Sequence, residues 1–210
     1  MFIYDGDTNG NKIIDDEEIY TIEMDGDVVV TNPPFSLFRE YMAQLMEYDK
    51  KFLIVGNKNA ITYKEIFPLI KENRLWLGIS APTAYSTPLK EVENEKTQYK
   101  ENGVVYQKFG NHGWFTNIEH SNRIYPLDLY KRYDAEKYPM YDNYDAINVD
   151  KVTDIPCDYD GVMGVPITFL DKYCPIHFEI VKFRKGDDDK DLYISGHKSI
   201  YFRILVRKIN

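Results

Sequence analysis

The chain has 210 residues, of which 43% are hydrophobic and 29% are charged, and its formal net charge at pH 7 is -8. This composition excludes disordered, collagen-like and coiled-coil proteins, because such chains lack the apolar area that offsets the entropy of ordering. No apolar run approaches the roughly 18 residues of a membrane helix, and the first residues are acidic, unlike a signal peptide. We expect a soluble, cytoplasmic protein in which Cys157 and Cys174 are reduced.

The negative charge is concentrated at the beginning of the chain. Met1–Asp27 contain nine of the 34 acidic residues and only one of the 26 basic residues, so the rest of the chain is neutral overall. Residues 1–26 are therefore predicted to form an acidic arm. The net charge does not exclude a nucleic-acid partner, because the distribution of charge decides this more than its sum.

The acidic arm also contains a candidate calcium loop. Asp5, Asp7, Asn9, Gly10 and Asp16 match positions 1, 3, 5, 6 and 12 of an EF-hand loop, in which alternating oxygens and a glycine turn surround the cation. Position 12 is aspartate rather than glutamate, and the first four residues cannot supply an entering helix. A solvated arm without metal is therefore the alternative that we favour.

The first regular elements follow the arm. Asp27–Thr31 is a β-branched run, typical of a strand buried in a parallel sheet, and it ends at the proline-rich segment Asn32–Phe35. Ser36 is predicted to cap a helix that runs to about Asp49, because apolar residues recur at helical spacing. Lys51–Val55 is predicted to be a second strand, parallel to the first.

The same order of elements then repeats once. Thr62 and Glu65 have the spacing of a capping box, which predicts a helix to about Asn73, and Leu75–Ile79 is predicted to be a third strand. After Ser80 the sequence becomes richer in aromatic residues and turns, which favours a mixed, β-rich region. In it we predict strands, a largely irregular segment and a short helix: strands at Gly103–Phe109, Gly113–Thr116, Glu179–Phe183 and Tyr201–Arg207, the irregular segment Tyr125–Tyr159, and the helix Phe169–Tyr173.

The segment Asn32–Phe35 carries the clearest chemistry. The carboxyl end of a parallel strand is where open α/β sheets bind ligands. There the side-chain oxygen of Asn32 and the carbonyl of Pro33 can accept hydrogen bonds from one planar amino group, while Phe35 stacks on the attached ring. Such an arrangement suits transfer of a group to an amine. The alternative is a plain proline-rich loop after a strand.

Four segments of the chain resemble the EcoRI-type adenine-specific DNA methyltransferases. They are Asp27–Tyr41, Gly56–Tyr63, Trp114–Asn117 and Gly161–Asp171. The resemblance extends from about Gly26 to Lys208. The motif Asn-Pro-Pro-Phe alone is shared with amino-methyltransferases that act on RNA or protein, so it specifies the reaction more than the substrate.

The resemblance implies transfer of a methyl group from S-adenosylmethionine to the N6 amino group of adenine in double-stranded DNA, after the base has left the duplex. It implies that Asn32, Pro33, Pro34 and Phe35 form the catalytic loop, and that target recognition belongs to residues 81–210. Plausible base contacts there are made by five polar side chains: Asn111, His112, Asn117, Asn122 and Arg123. The fold expected is a partial Rossmann-like methyltransferase sheet in residues 27–80, followed by the β-rich recognition region.

The sequence departs from the family where the cofactor is held. The family has a glycine-rich turn after an earlier strand, and only 31 residues precede Asn32 here, with no Gly-x-Gly in the chain. We therefore expect a truncated form that does not bind the methyl donor alone. The alternatives are a non-catalytic DNA-binding remnant and a subunit completed by a partner chain or a second copy. An incomplete sheet predicts either dimerisation through the first strand or cover by the acidic arm, whereas a central Val28–Val30 strand paired on both sides by its own chain would contradict this.

Overall fold

A computed structural model of the chain describes residues 2–4, 28–79, 84–108, 110–199 and 201–209. The chain is mixed α/β and divides into two compact units, Met1–Ile118 and Glu119–Asn210. In the described ranges, no helix is both long and apolar enough to cross a membrane.

The first unit is built on a five-stranded sheet. In spatial order its described strands are β1 (Phe2–Tyr4), β2 (Val28–Thr31), β3 (Lys51–Asn57), β8 (His112–Thr116) and β4 (Trp76–Leu77). The first three strands are parallel, and β8 runs antiparallel to both of its neighbours. The predicted parallel pairing of β2 and β3 is confirmed, and helix α1 (Phe38–Glu47) connects them.

The prediction of a third strand is confirmed in part. Trp76–Leu77 form β4, which is shorter than the predicted Leu75–Ile79, and it is not hydrogen-bonded to β3. Instead β8 lies between the two strands, although we placed its residues in the β-rich region that follows. The backbone of β8 forms hydrogen bonds with both neighbouring strands, which satisfies its polar groups. The side chain of Phe115, on this strand, is fully inaccessible to solvent.

The edge strand of this sheet is β1 and not β2. The backbone of Phe2–Tyr4 pairs with β2, so β2 has a neighbour from its own chain on each side. Pairing on both sides by its own chain contradicts the prediction drawn from an incomplete sheet, so the expected open edge at Val28–Val30 is wrong. The residues Phe2–Tyr4 that pair with β2 lie within the predicted acidic arm.

Both predicted helix caps are wrong, because each α-helix begins later than predicted, near a proline. Ser36 is in a 3₁₀ turn, Phe35–Leu37, in which the Leu37 amide donates to the Pro34 carbonyl over 3.0 Å, so the α-helix begins only at Phe38. Helix α2 (Phe67–Lys71) begins late because Pro68 lacks an amide hydrogen and is tolerated only in a first turn.

The predicted capping box is replaced by another turn of 3₁₀ helix, Lys58–Thr62. There the Thr62 hydroxyl donates to the Asn59 carbonyl over 2.8 Å instead of capping α2. A small antiparallel sheet completes the first unit, with β7 in the middle. Its strands are β5 (Ala84–Ser86), β6 (Gln98–Glu101) and β7 (Val104–Lys108).

The second unit contains another five-stranded sheet. In spatial order its described strands are β12 (Phe178–Phe183), β15 (Arg203–Lys208), β11 (Val162–Pro166), β10 (Tyr144–Asn148) and β9 (Met140–Tyr141). Strands β10 and β11 are parallel, whereas the other neighbours are antiparallel. A hairpin of β13 (Tyr193–Ile194) and β14 (His197–Lys198) lies outside this sheet.

Several predictions for this unit are confirmed. The closing strands and the short helix are present, the helix as 3₁₀ turns over Ile167–Lys172. The segment Tyr125–Tyr159 is largely irregular, as predicted, and it also contains the two short strands β9 and β10. Ala146 and Ile147 of β10 are fully buried, and the many tyrosines around them obscured this short apolar stretch.

Candidate active site

The segment Asn32–Phe35 leaves the carboxyl end of β2. Thr31, the last residue of the strand, is buried, and so is Pro33, whereas Asn32 is exposed and Phe35 is 39% exposed. The two prolines fix the backbone between the exposed side chains because each restricts its own φ. The loop therefore holds an amide and an aromatic ring in solvent on a rigid support.

The ring of Phe35 lies against His112, the first residue of β8. Their centroids are 4.9 Å apart and their planes are inclined by 33°. His112 is half-buried and pairs with Asn57, the last residue of β3, so the sheet sets its position. One face of the Phe35 ring is thus supported by a second planar side chain.

A polar turn ties the end of β3 to the beginning of β8. The Asn59 amide donates to Asn57 Oδ1 over 2.9 Å, and Asn111 Nδ2 donates to Asn59 Oδ1 over 2.8 Å. The backbone amide of Lys58 donates to the Asn111 carbonyl over 2.8 Å. These bonds fix the segment that precedes His112, which keeps that ring next to Phe35.

The support beneath the loop is aromatic and tightly packed. Phe38, the first residue of α1, meets Phe115 of β8 edge to face, with centroids 5.0 Å apart. A Cβ atom on Gly56 of β3 would lie 2.5 Å from Phe38 Cε2 and 2.8 Å from Phe115 Cε2. Glycine is therefore required at this position, because the two rings occupy the volume of any side chain.

Two of the five predicted base contacts lie at this edge of the sheet. His112 contacts Phe35, and Asn111 is exposed in the polar turn beside it. Sequence reasoning named both residues but missed the contact between Phe35 and His112. No local signal encodes that contact, because it depends on the pairing of β8 with β3.

Asn117 has a different role in the fold. Its Oδ1 accepts from the Phe52 amide over 2.9 Å, and its Nδ2 donates to the Lys50 carbonyl over 2.7 Å. The Asn117 side chain thus bonds to the backbone on both sides of Lys51, the first residue of β3. This placement favours a structural role over contact with a base.

Replacing Asn117 by aspartate is expected to destabilise the first unit by about 1–3 kcal/mol, because the bond to Lys50 is lost and the carboxylate faces a carbonyl. Urea unfolding followed by tryptophan fluorescence measures this change. Affinity for duplex DNA should be unchanged at temperatures where the variant is folded. A loss of affinity without a loss of stability would restore the role in base contact.

Asn122 and Arg123 lie in the second unit, and both are used within it. Asn122 Nδ2 donates to the Asp171 carbonyl over 3.1 Å. Arg123 is only 4% exposed, and its Nε donates to Glu119 Oε2 over 3.3 Å. Burial lowers the pKa of Arg123, and the Glu119 carboxylate opposes that shift. These contacts favour structural roles for both side chains.

The two glycines at this edge of the sheet do not form a cofactor cradle. Dinucleotide-type sites use glycines that let the ligand approach the backbone, but Gly56 is filled by aromatic rings. Gly113 is covered by the stem of Lys58, since a Cβ there would lie 2.8 Å from Lys58 Cε. The candidate calcium loop, from Asp5 to Asp16, lies outside the described residues, and the described part of the chain contains no cluster of three potential metal ligands.

Comparison with known proteins identifies the family. Residues 5–208 match the family described as "Adenine-specific methyltransferase EcoRI". The chain belongs to this family. The resemblance inferred from the four segments is thereby confirmed, and members of the family are associated with DNA methylation in restriction-modification systems.

Curated relatives in this family are named as type II methyltransferases. The chain is 50% identical to M.EcoRI of Escherichia coli over 98% of its own length and 63% of that protein. It is 40% identical to M.MpnI of Mycoplasma pneumoniae over 82% of this chain and 56% of that protein. For M.MgeORF184P of Mycoplasma genitalium the identity is 36%, over 86% of this chain and 61% of that protein.

The chain thus spans less than two thirds of the length of the curated relatives that it matches. No solved structure gave a significant match.

Proposed function

We propose that this chain carries the catalytic loop of a DNA adenine N6-methyltransferase that uses S-adenosylmethionine. The observation that carries the proposal is the position of Asn32 and Phe35, exposed on a proline-fixed loop at the carboxyl end of a parallel strand. Membership of the family and the names of the relatives support the same activity.

The loop acts on the amino group of the base. Asn32 Oδ1 and the Pro33 carbonyl each accept one hydrogen of a planar amine, which leaves the nitrogen lone pair less delocalised into the ring. Because both acceptors are fixed before the substrate arrives, little reorganisation is needed when charge develops on that nitrogen. S-adenosylmethionine supplies the methyl group in this family, and neither Gly56 nor Gly113 beside the loop leaves room for it against the backbone.

The target base must leave the duplex to reach this loop. A paired adenine presents its amino group inside the stack, so extrusion costs a few kcal/mol of stacking and pairing. Phe35 offsets part of this cost by stacking on the extruded base with its exposed face. His112 holds the Phe35 ring from the other side.

Removing the Phe35 ring is expected to weaken methyl transfer by roughly tenfold to a hundredfold, since stacking on an aromatic side chain contributes about 1–3 kcal/mol per base. The variant Phe35→Ala should show this loss in kcat/KM, whereas Phe35→Tyr retains the ring and most of the activity. His112→Ala should lose less, because it removes only the support of Phe35. A larger loss for His112→Ala than for Phe35→Ala would contradict this order.

The experiment that tests the proposed function uses a hybrid protein. The part of M.EcoRI that the match leaves uncovered is joined to this chain, since 50% identity makes the two parts compatible. The hybrid is incubated with tritiated S-adenosylmethionine and, separately, with duplex DNA, structured RNA or a protein mixture. We expect label in the duplex DNA only.

Two other results would replace the proposal. Label in RNA or protein would mean that the Asn-Pro-Pro-Phe loop serves another amino-methyltransferase. A folded hybrid that binds both S-adenosylmethionine and duplex DNA with salt-dependent affinity, but transfers no label, would indicate a non-catalytic DNA-binding protein.

A further inference from the structure

An exposed arginine lies one helical turn beyond Phe35. Arg39 is the second residue of α1, and its side chain is exposed. The intervening residues are helical as well, because Phe35–Leu37 form a 3₁₀ turn that leads directly into α1. Residues four positions apart in such a helical segment are neighbours on its surface. The Arg39 side chain therefore begins beside the exposed ring of Phe35.

The guanidinium of Arg39 is held over an aromatic ring. Its Cζ lies 5.6 Å from the centroid of the Tyr63 ring, which is the distance of a cation–π contact. Tyr63 directly follows the 3₁₀ helix Lys58–Thr62 at the end of β3. Its carbonyl accepts from the amides of Ile66 and Phe67 over 3.1 and 3.0 Å, so the backbone that carries the ring is fixed. Both partners thus lie at the carboxyl ends of β2 and β3.

Stability of the helix does not account for a cation at this position. A positive charge in the first turn is unfavourable, because the helix dipole places partial positive charge at the same end. Met42 and Ala43, three and four residues later, cannot form an ion pair with Arg39, and adjacent residues such as Glu40 do not face it. Within the described ranges, the contact of Arg39 with Tyr63 is cation–π and no ion pair accompanies it.

The stacked guanidinium keeps its hydrogen-bond donors available. Stacking uses the flat face of the group, whereas its five N–H donors point outward in the plane as a rigid fork. This fork matches two oxygens of a phosphate group. A DNA strand presents such oxygens at every phosphodiester, where proteins make many of their positioning contacts. The chemistry of Arg39 therefore favours a phosphodiester as its partner.

The place of Arg39 indicates which phosphodiester it meets. Extrusion turns a nucleotide about its backbone, so the base enters the loop while the phosphates on either side of it stay at the rim. We propose that Arg39 binds a phosphodiester next to the extruded nucleotide, and that Tyr63 positions the guanidinium for this contact. The inference rests on the proposed function, because it takes the stacking of the base on Phe35 as its starting point.

The test measures binding to a short DNA duplex with one mismatched adenine, a base that is extruded at low cost. Fluorescence anisotropy gives the affinity of the 210-residue chain and of the hybrid at several salt concentrations. We expect Arg39→Ala to weaken binding by about tenfold, the effect of losing a hydrogen bond between charged groups. The slope of log affinity against log salt concentration should fall by about 0.9, the value for one phosphate contact. An unchanged affinity, an unchanged slope, or no binding by either protein overturns the proposal.

Neutral methylphosphonate groups locate the phosphodiester. They replace the phosphate on each side of the mismatched adenine, one duplex at a time. At one of these two positions we expect weaker binding by the unmutated chain and no further loss in Arg39→Ala. A methylphosphonate several nucleotides away should leave the full effect of Arg39→Ala in place. If Arg39→Ala weakens binding equally on every duplex, Arg39 does not contact a flanking phosphate and the proposal is overturned.

Further variants separate the position of the charge from the charge itself. Tyr63→Leu keeps the cation and removes the ring, so binding should weaken by less than in Arg39→Ala, with the salt slope unchanged. Arg39→Lys should also keep the slope and lose part of the affinity, because lysine lacks the planar fork. The urea midpoint of Arg39→Ala should not decrease, because the side chain is exposed. Unchanged affinity in Tyr63→Leu overturns the positioning role.

Arg74→Ala is the matched control. Arg74 is exposed and precedes β4, at the edge of the sheet where β3 begins and therefore opposite the loop. This variant removes the same charge and should bind the mismatched duplex as the unmutated chain does. A loss equal to that in Arg39→Ala would show that any arginine of the unit contributes to the same extent, which overturns the assignment.

Failure of this inference differs from failure of the proposed function. Binding is measured without a methyl donor, so it does not depend on methyl transfer. A hybrid that labels duplex DNA but binds equally well with Arg39→Ala retains the proposed function and loses this contact. A hybrid that transfers no label, while the methylphosphonate result holds, retains the contact and loses the proposed function.

Discussion

Replacing Asn32 by alanine in the hybrid protein is expected to lower the rate of methyl transfer by about 10²–10³-fold, the range for loss of one preorganised hydrogen-bonding group. The free energy of unfolding should change by less than about 0.5 kcal/mol, because Asn32 is exposed and makes no hydrogen bond to the described residues. Single-turnover kinetics on duplex DNA measure the rate, since they isolate the chemical step from product release.

Two variants control this experiment. Asn32→Asp keeps an oxygen acceptor in the same place and should retain more activity than Asn32→Ala. Ser36→Ala changes another exposed side chain of the following turn and should leave the rate unchanged. If Asn32→Ala keeps more than a third of the rate, the loop does not act through this amide.

Truncating Phe115 to alanine is expected to destabilise the first unit by about 3–5 kcal/mol, the range for a fully buried phenylalanine. Its ring is inaccessible to solvent and packs edge to face on Phe38. Urea unfolding followed by tryptophan fluorescence reports on this unit alone, because Trp76 and Trp114, the only two tryptophans, lie on β4 and β8.

The controls for Phe115 distinguish packing from a general effect of substitution. Phe115→Leu retains most of the volume and should cost less than the truncation. Val104→Ala, at an exposed position of β7, should cost under about 0.5 kcal/mol. A loss below about 1 kcal/mol for Phe115→Ala would mean that the ring does not hold α1 and the loop on the sheet.

The sequence predicts the elements that carry their own periodic signal. The run of β-branched residues before Asn32 and the helical spacing after it gave β2, α1 and β3 close to their observed positions, because burial of one face imposes that pattern. The position of the loop Asn32–Phe35 was predictable for the same reason, since it lies between two strongly patterned elements.

Pairing between distant segments was not predictable in this way. Strand β8 has the composition of a buried strand, but nothing in its residues states that its neighbours are β3 and β4. The contact of His112 with Phe35 follows from that pairing, so it could not be predicted from the sequence either. The contacts that Asn117, Asn122 and Arg123 make within the fold could not be predicted for a related reason. A polar side chain looks the same in sequence whether it faces a ligand or clamps a backbone.

The most direct test of the central claim is the identity of the methylated nucleoside. Unmethylated duplex DNA is incubated with the hybrid and S-adenosylmethionine, digested, and analysed by mass spectrometry, in parallel with the Asn32→Ala hybrid. We expect N6-methyldeoxyadenosine from the first reaction and at least a hundredfold less from the second. Methylation of cytosine, or methylation of adenine that does not depend on Asn32, would contradict it.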